Sequence, residues 1–138
     1  MKQGFRISGL VIVILLLLSL QAVAGLQRLS ATQLLSDKEA FDGKRVSVDG
    51  FVRFDRGSQR GFLNKNLLDM RNRNYRQTIF LELGNENYTS MKIPDGSYAR
   101  VTGYLSKKLR GPLGVYAGHI IVDQIRPLRR PYRRSTEQ

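Results

Sequence analysis

The stretch Lys44 to Phe54, KRVSVDGFVRF, alternates without a break: Val46, Val48, Gly50, Val52 and Phe54 fall on one side, and Arg45, Ser47, Asp49, Phe51 and Arg53 on the other. Period-two alternation over this length predicts a long β-strand with one face buried. Gly50 sits in its middle, where a small closed barrel needs a bulge or a sharp coil to turn its corner. The same design recurs in Ser97 to Lys107, SYARVTGYLSK, with Ala99, Val101, Gly103 and Leu105 on one face and Tyr98, Arg100, Thr102 and Tyr104 on the other.

Upstream of the first strand, Leu26 to Phe41 (LQRLSATQLLSDKEAF) offers Ser30 as a cap and places Leu34, Leu35 and Phe41 on or near one helical face. This predicts a short helix, broken by Asp42-Gly43. Downstream, Arg56 to Arg76 is the least regular segment; a second strand is expected around Phe62 to Leu68, followed by the polar basic stretch Asp69 to Arg76. Gln77 to Leu83 returns to alternation, with Ile79, Leu81 and Leu83 inward and Thr78, Phe80 and Glu82 outward. A connection rich in Gly, Asn, Pro and Asp spans Gly84 to Gly96, and a basic loop spans Lys108 to Gly114. Val115 to Leu128 then supplies a last strand, or a strand pair hinged at Gly118, which Pro127 ends. Five strands in about eighty residues, bounded by Gly, Asp and Pro turns, predict an all-β fold: a five-stranded Greek-key barrel with a short N-terminal helix. A sandwich would require about seven strands.

The order of these segments carries a resemblance. FDGKRVSVDGFV at Phe41 to Val52, IFLEL at Ile79 to Leu83, GSYARVTGYL at Gly96 to Leu105 and GHIIVDQIRPL at Gly118 to Leu128, after a short leading helix, resemble exported bacterial OB-fold proteins, including the tRNA anticodon-binding-like group. The resemblance covers most of the chain after the first 24 residues and implies a binding module; it transfers no catalytic residue, and fold analogy alone does not fix function.

The opening MKQGFRISGLVIVILLLLSLQAVA puts Lys2 and Arg6 ahead of an apolar run and ends in Ala22-Val23-Ala24, the pattern of a cleavable export signal over residues 1–24. Read as a retained anchor, Ile7 to Ala24 gives 18 mostly apolar residues, the bottom of the range that spans a bilayer. Its positive N-terminal flank leaves the remainder on the outer side in that case too. The expected location is the periplasm or the exterior, or the inner membrane facing the periplasm. The chain divides into residues 1–24, an OB-fold domain at 25–128 and a flexible basic tail at 129–138. Without cysteines, disulfides and thiolate metal sites are excluded.

Past the export segment the chain carries 21 Lys plus Arg against 11 Asp plus Glu, a net charge of +10. That bias predicts attraction to a polyanion, either nucleic acid or an anionic envelope component. An acidic envelope protein and peripheral contact with an anionic membrane are the alternatives. The OB-fold resemblance places ligand on the outward face of the middle strands, where Phe51, Arg53, Phe80, Arg100 and Tyr104 combine rings for base stacking with guanidinium groups for phosphates. The simpler reading, which carries more weight, has Phe51, Phe80 and Tyr104 as packing under the leading helix or under the loop Arg56 to Arg76. Further cations cluster at Arg71, Arg73 and Arg76, at Lys107, Lys108 and Arg110, and in the tail at Arg129, Arg130, Arg133 and Arg134. Catalysis finds little support: His119 is the single histidine, the carboxylates are dispersed, and no nucleophile motif is present. The expectation is a binding protein without enzymatic activity, metal or cofactor.

Overall fold

The computed structural model describes residues 26–55, 57–84 and 93–129; residues 1–25, which include the stretch read as an export signal, residue 56, residues 85–92 of the Gly84 to Gly96 connection and the tail from residue 130 lie outside the described residues. In chain order the elements are β1 (Gln27–Ser30), α1 (Ala31–Ser36), α2 (Lys38–Phe41), β2 (Arg45–Phe54), β3 (Arg60–Asn64), α3 (Leu67–Asn72), β4 (Thr78–Leu83), β5 (Ser97–Leu105) and β6 (Gly118–Pro127). β2, β3 and β4 form an antiparallel meander; β4 runs parallel to β6, β6 antiparallel to β5, and β5 closes the circle on β2. This is the five-stranded closed OB-fold barrel, preceded by a short helix. β1 adds in parallel to the outer edge of the first half of β2.

The alternation in β2 makes this closure workable. One side of β2 pairs with β1 over Val46–Asp49 and then with β3 over Phe51–Phe54, while the other side holds β5 without interruption from Arg45 to Val52. Gly50 is the point of transfer between the two partners. A Cβ there would lie 2.9 Å from the Asn64 carbonyl oxygen and from Leu63 Cδ1, and 3.2 Å from Ala31 Cβ. With the β5 register unbroken, Gly50 marks a coil in the strand, not a bulge. The bulge occurs on β6, opposite Thr102 and Gly103: Gly103 faces Val122, Thr102 faces Gln124, and Asp123 is the extra residue. A Cβ on Gly103 would stand only 2.2 Å from the Ile121 carbonyl oxygen.

Val46, Val48 and Val52 from β2, Leu63 from β3, Ile79 and Leu81 from β4, Ala99 and Val101 from β5 and Ile120 from β6 are fully buried. Burial of each larger aliphatic side chain contributes about 1.5–3 kcal/mol. Ala31 and Leu34 of α1 enter the same core, so the leading helix packs against the barrel.

Two local expectations are corrected, and one that was left between two alternatives is decided. The leading segment is not helical from Leu26: residues 27–30 extend and pair with β2, and the helix starts after Ser30. Ser30 lies at φ −78°, ψ 158°, and forms a capping box in which its hydroxyl accepts from the Gln33 amide and Gln33 Oε1 accepts from the Ser30 amide. The second strand stops at Asn64, because Asn66 caps α3 by accepting the Asp69 amide at 2.8 Å. The segment after Val115 is one strand, Gly118–Pro127, with no hinge pair.

Replacing Gly103 with Ala forces β5 away from β6 and is expected to cost about 3 kcal/mol in urea unfolding. Gly84→Ala, with nothing within 4 Å of its Cβ position, is expected to stay within about 0.5 kcal/mol of the parent. Equal midpoints for the two variants would contradict the assigned close approach.

Candidate functional site

Two outer faces of the barrel carry chemistry. The first begins as a cross-strand row: Arg53 on β2 opposes Phe62 on β3, Phe62 opposes Phe80 on β4, and Phe80 pairs with His119 on β6. Outward alternation puts all four on one surface. The Arg53 guanidinium carbon lies 4.5 Å from the centre of the Phe62 ring, a cation–π distance. Phe62 and Phe80 meet edge to face at 5.9 Å, and Phe80 lies 4.9 Å from the His119 ring. The Arg53 Nε is buried with no hydrogen-bond partner.

A strap over residues 106–117 lies on this row. Tyr116 stacks on Phe62 at 5.8 Å, tilts against Phe80 at 5.3 Å and meets Tyr75 at 5.2 Å. Under it Phe62 and Phe80 are buried, while Tyr75 remains 46% exposed. The strap is fastened by backbone and side-chain bonds: the Gly111 amide donates to His119 Nδ1 at 3.0 Å, the Ser106 amide to the His119 carbonyl at 2.9 Å, and the Ala117 amide to the Thr78 carbonyl at 3.0 Å. Accepting at Nδ1 places the neutral ring's proton on Nε2, which lies 3.5 Å from Glu82 Oε2. His119 is 5% exposed and acts as the strap's clasp. Arg110 is also committed to the strap, donating to the Ser106 and Leu109 carbonyls and pairing with Asp42 at 3.7 Å.

The second face covers β1, β2, β5 and β6. Arg28, Ser47, Thr102 and Gln124 form one row across the four strands. Ser30, Asp49, Arg100 and Arg126 form the next. Asp49 accepts two hydrogen bonds from Arg100, from Nε at 2.8 Å and Nη2 at 2.9 Å. These bonds hold the guanidinium pKa even above its ordinary high value, with burial opposing. Ser47 and Thr102 are buried and share a hydrogen bond of 3.1 Å.

The sequence-derived site residues thus divide. Arg53 and Phe80 come together around Phe62; Arg100 and Tyr104 lie on the second side, where Tyr104 is 46% exposed opposite Arg45. Phe51 packs edge-on to Tyr98 at 5.2 Å. Arg71, Arg73 and Arg76 are all exposed, Arg71 in the last turn of α3, Arg73 in its left-handed cap and Arg76 in the 3-10 turn that also carries Tyr75. Lys107, Lys108 and Arg129 are exposed, and Arg130, Arg133 and Arg134 lie outside the described residues. Tyr75, Phe62 and Tyr116 were missed from sequence. The nearest signal was Tyr75 between Arg73 and Arg76, since nothing local announces that residue 116 folds back over β3.

Among the described residues, no group of three or more His, Cys, Asp or Glu side chains could hold a metal ion. No known family model matches the chain, and comparison with curated proteins gives no match. The class is defined by the fold alone: a small closed barrel of the OB type.

His119→Leu leaves the Gly111 amide without its acceptor and is expected to cost about 1–3 kcal/mol, with faster hydrogen exchange at Gly111 and Tyr116 than at β2 amides. Unchanged exchange there would remove the clasp role. Burial, the largest cause, holds the Tyr98 and Tyr116 phenols above their ordinary value. A raised phenol favours the protonated folded state, so this contribution is complete below about pH 10 and is lost as pH rises beyond it. In a phenolate absorbance titration of the six tyrosines, these two should lag the rest; a single step at about pH 10 with the fold intact would contradict this.

Proposed function

We propose that the protein is a non-enzymatic, exported binding module for a polyanion, with single-stranded nucleic acid as the ligand class that best suits its first face. The observation that carries this reading is the exposed Tyr75, in ring contact with Tyr116, in a segment whose Arg71, Arg73 and Arg76 are all exposed. An aromatic ring offers a stacking surface to any base, and neighbouring guanidinium groups neutralise phosphates. Asp42, Asp49, Asp69 and Asp123 pair with Arg110, Arg100, Lys65 and Arg45, and among the described residues the Arg71–Arg76 group makes no ion pair, while the charge of Asp55 reaches Tyr116. The tail continues the same basic character beyond Arg129.

One observation favours an envelope adaptor instead. The strap exposes Leu109, Leu113 and Val115, with Leu113 95% accessible, beside the exposed Lys107 and Lys108. An apolar tip with basic neighbours suits an anionic membrane surface or an acidic protein partner.

Binding of the full chain to oligothymidylate is expected to weaken linearly in log–log form as salt rises, by about 0.7 per phosphate contacted. Tyr75→Ala should reduce affinity for the oligonucleotide but not for a sulfated polysaccharide. Truncation after Arg129 should lower the slope by about 2; an earlier cut would remove the Leu128 amide bond to Tyr98. Equal loss of both ligands in Tyr75→Ala would refute base stacking, and tight binding to anionic vesicles with none to oligonucleotide would favour the adaptor.

A further inference from the structure

The second face holds a cleft of about 410 Å³ lined by Arg28, Arg100, Arg126 and Gln124 together with the buried Ser47 and Thr102. We infer that this cleft is a binding site for a single phosphate group, at a place on the barrel distinct from the aromatic face.

The argument starts with the β6 bulge. Regular alternation from Ile120 and Val122 would turn Gln124 and Arg126 inward and Ile125 outward. The extra residue at Asp123 reverses this phase: Ile125 is buried in the core, and Gln124 and Arg126 stand outside opposite Thr102 and Arg100. Bulges re-aim side chains in this way. The result is an arginine directly across from an arginine, a pairing that is destabilising when nothing separates the charges. Arg100 is partly neutralised by Asp49, yet Arg28 and Arg126 make no ion pair among the described residues. Three guanidinium groups share one cleft, and no carboxylate is among the residues that line it.

The donors suit a tetrahedral oxyanion. Arg100 spends two of its five N–H groups on Asp49. Three remain, on a planar group already fixed in orientation. Arg28 and Arg126 add forked donors, for which bidentate contact with phosphate oxygens is favoured. Ser47 and Thr102, whose hydroxyls bond each other, add hydroxyl oxygens and Gln124 an amide donor. Leu26 closes one end with an apolar side chain. The same chemistry is met by free phosphate and by one phosphate of a polynucleotide.

The full chain, kept soluble in mild detergent, is titrated with inorganic phosphate and, in parallel, with oligothymidylate at constant ionic strength, reading arginine Nε–H resonances by NMR. Saturable shifts in Arg28, Arg100 and Arg126 with inorganic phosphate are expected. R126Q and R28Q should each weaken it at least about tenfold, as loss of a charge-assisted hydrogen bond implies, and R126K should recover only part. Lys44→Gln, with the same charge change outside the cleft, should stay within about twofold. Oligothymidylate competing with phosphate for these resonances assigns the source as the polymer backbone; absence of competition assigns free phosphate. Non-saturating shifts, or equal weakening by Lys44→Gln and R126Q, would overturn the site even if the polymer bound elsewhere. Saturable phosphate binding with no polymer binding would retain the cleft and remove the polymer reading alone.

Discussion

The contact between β5 and β6 at Gly103 is the constraint on which the rest of the molecule depends. A parallel β4–β6 pair and an antiparallel β5–β6 pair must both be satisfied by one ten-residue strand, and β5 must still reach β2 to close the barrel. Closing so small a circle draws the β5 backbone to a separation that excludes a Cβ. The tension is resolved by a glycine on one strand and an extra residue on the other. Closure buries the valine and isoleucine face, and the same bulge determines which side of β6 is outside. Fold and surface chemistry therefore have one origin: the residue that lets the barrel close also moves Gln124 and Arg126 onto the outer face.

The aromatic face obeys a different logic. A sheet surface bearing Phe62 and Phe80 would expose considerable apolar area, and the strap covers it with Tyr116. The covering segment holds three residues at positive φ, Gly111 at 69°, Leu113 at 63° and Gly114 at 66°, a conformation for which glycine is suited and leucine is not. Leu113 is held in that conformation while its side chain makes little use of the core. The strap's attachment is consequently polar: the His119 ring, the Ser106 hydroxyl that accepts the Lys108 and Leu109 amides, and the Arg110 contacts. Polar fastening over an apolar surface gives this segment two faces, tyrosine inward and Lys107, Lys108 and Leu113 outward.

How much of this could be read in the chain depended on whether the signal was local. Val46, Val48 and Val52, Ile79 and Leu81, Ala99 and Val101 alternate within their own strands, so their burial and the closed barrel were legible from period two. The Ser30 cap was legible for the same reason, because the capping box needs only Gln33. β1 was not: the four residues Gln27 to Ser30, which read locally as a helix entry, gain their extended form from pairing with Val46–Asp49, a tertiary effect that outweighs local preference. The aromatic row was half legible. Arg53 and Phe80 were placed outward correctly, but Phe62 sits in the irregular segment, and Tyr116 reaches it through a strap whose course is set by His119. The spacing of Val122 and Ile125 was the visible trace of the bulge, a three-residue interval in a strand of period two.

Charge distribution joins the two faces. A protein that places its carboxylates in Asp49–Arg100, Asp42–Arg110 and Arg45–Asp123 pairs uses them to orient cations, not to offset the total. Exposed pairs of this kind add little stability, with a median near 0–1 kcal/mol, and Arg45–Asp123, with both side chains more than half exposed, belongs to that class. Asp49–Arg100 differs: both side chains are below 20% exposed and the contact is bidentate. Truncating one partner of such a pair leaves the other charge poorly solvated, so Asp49 secures a fixed guanidinium at the centre of β5. Around that fixed point Arg28 and Arg126 remain uncompensated. Like charges gathered on a rigid sheet lower the stability of the free protein, and the same electrostatic terms would be relieved by any anion placed among them.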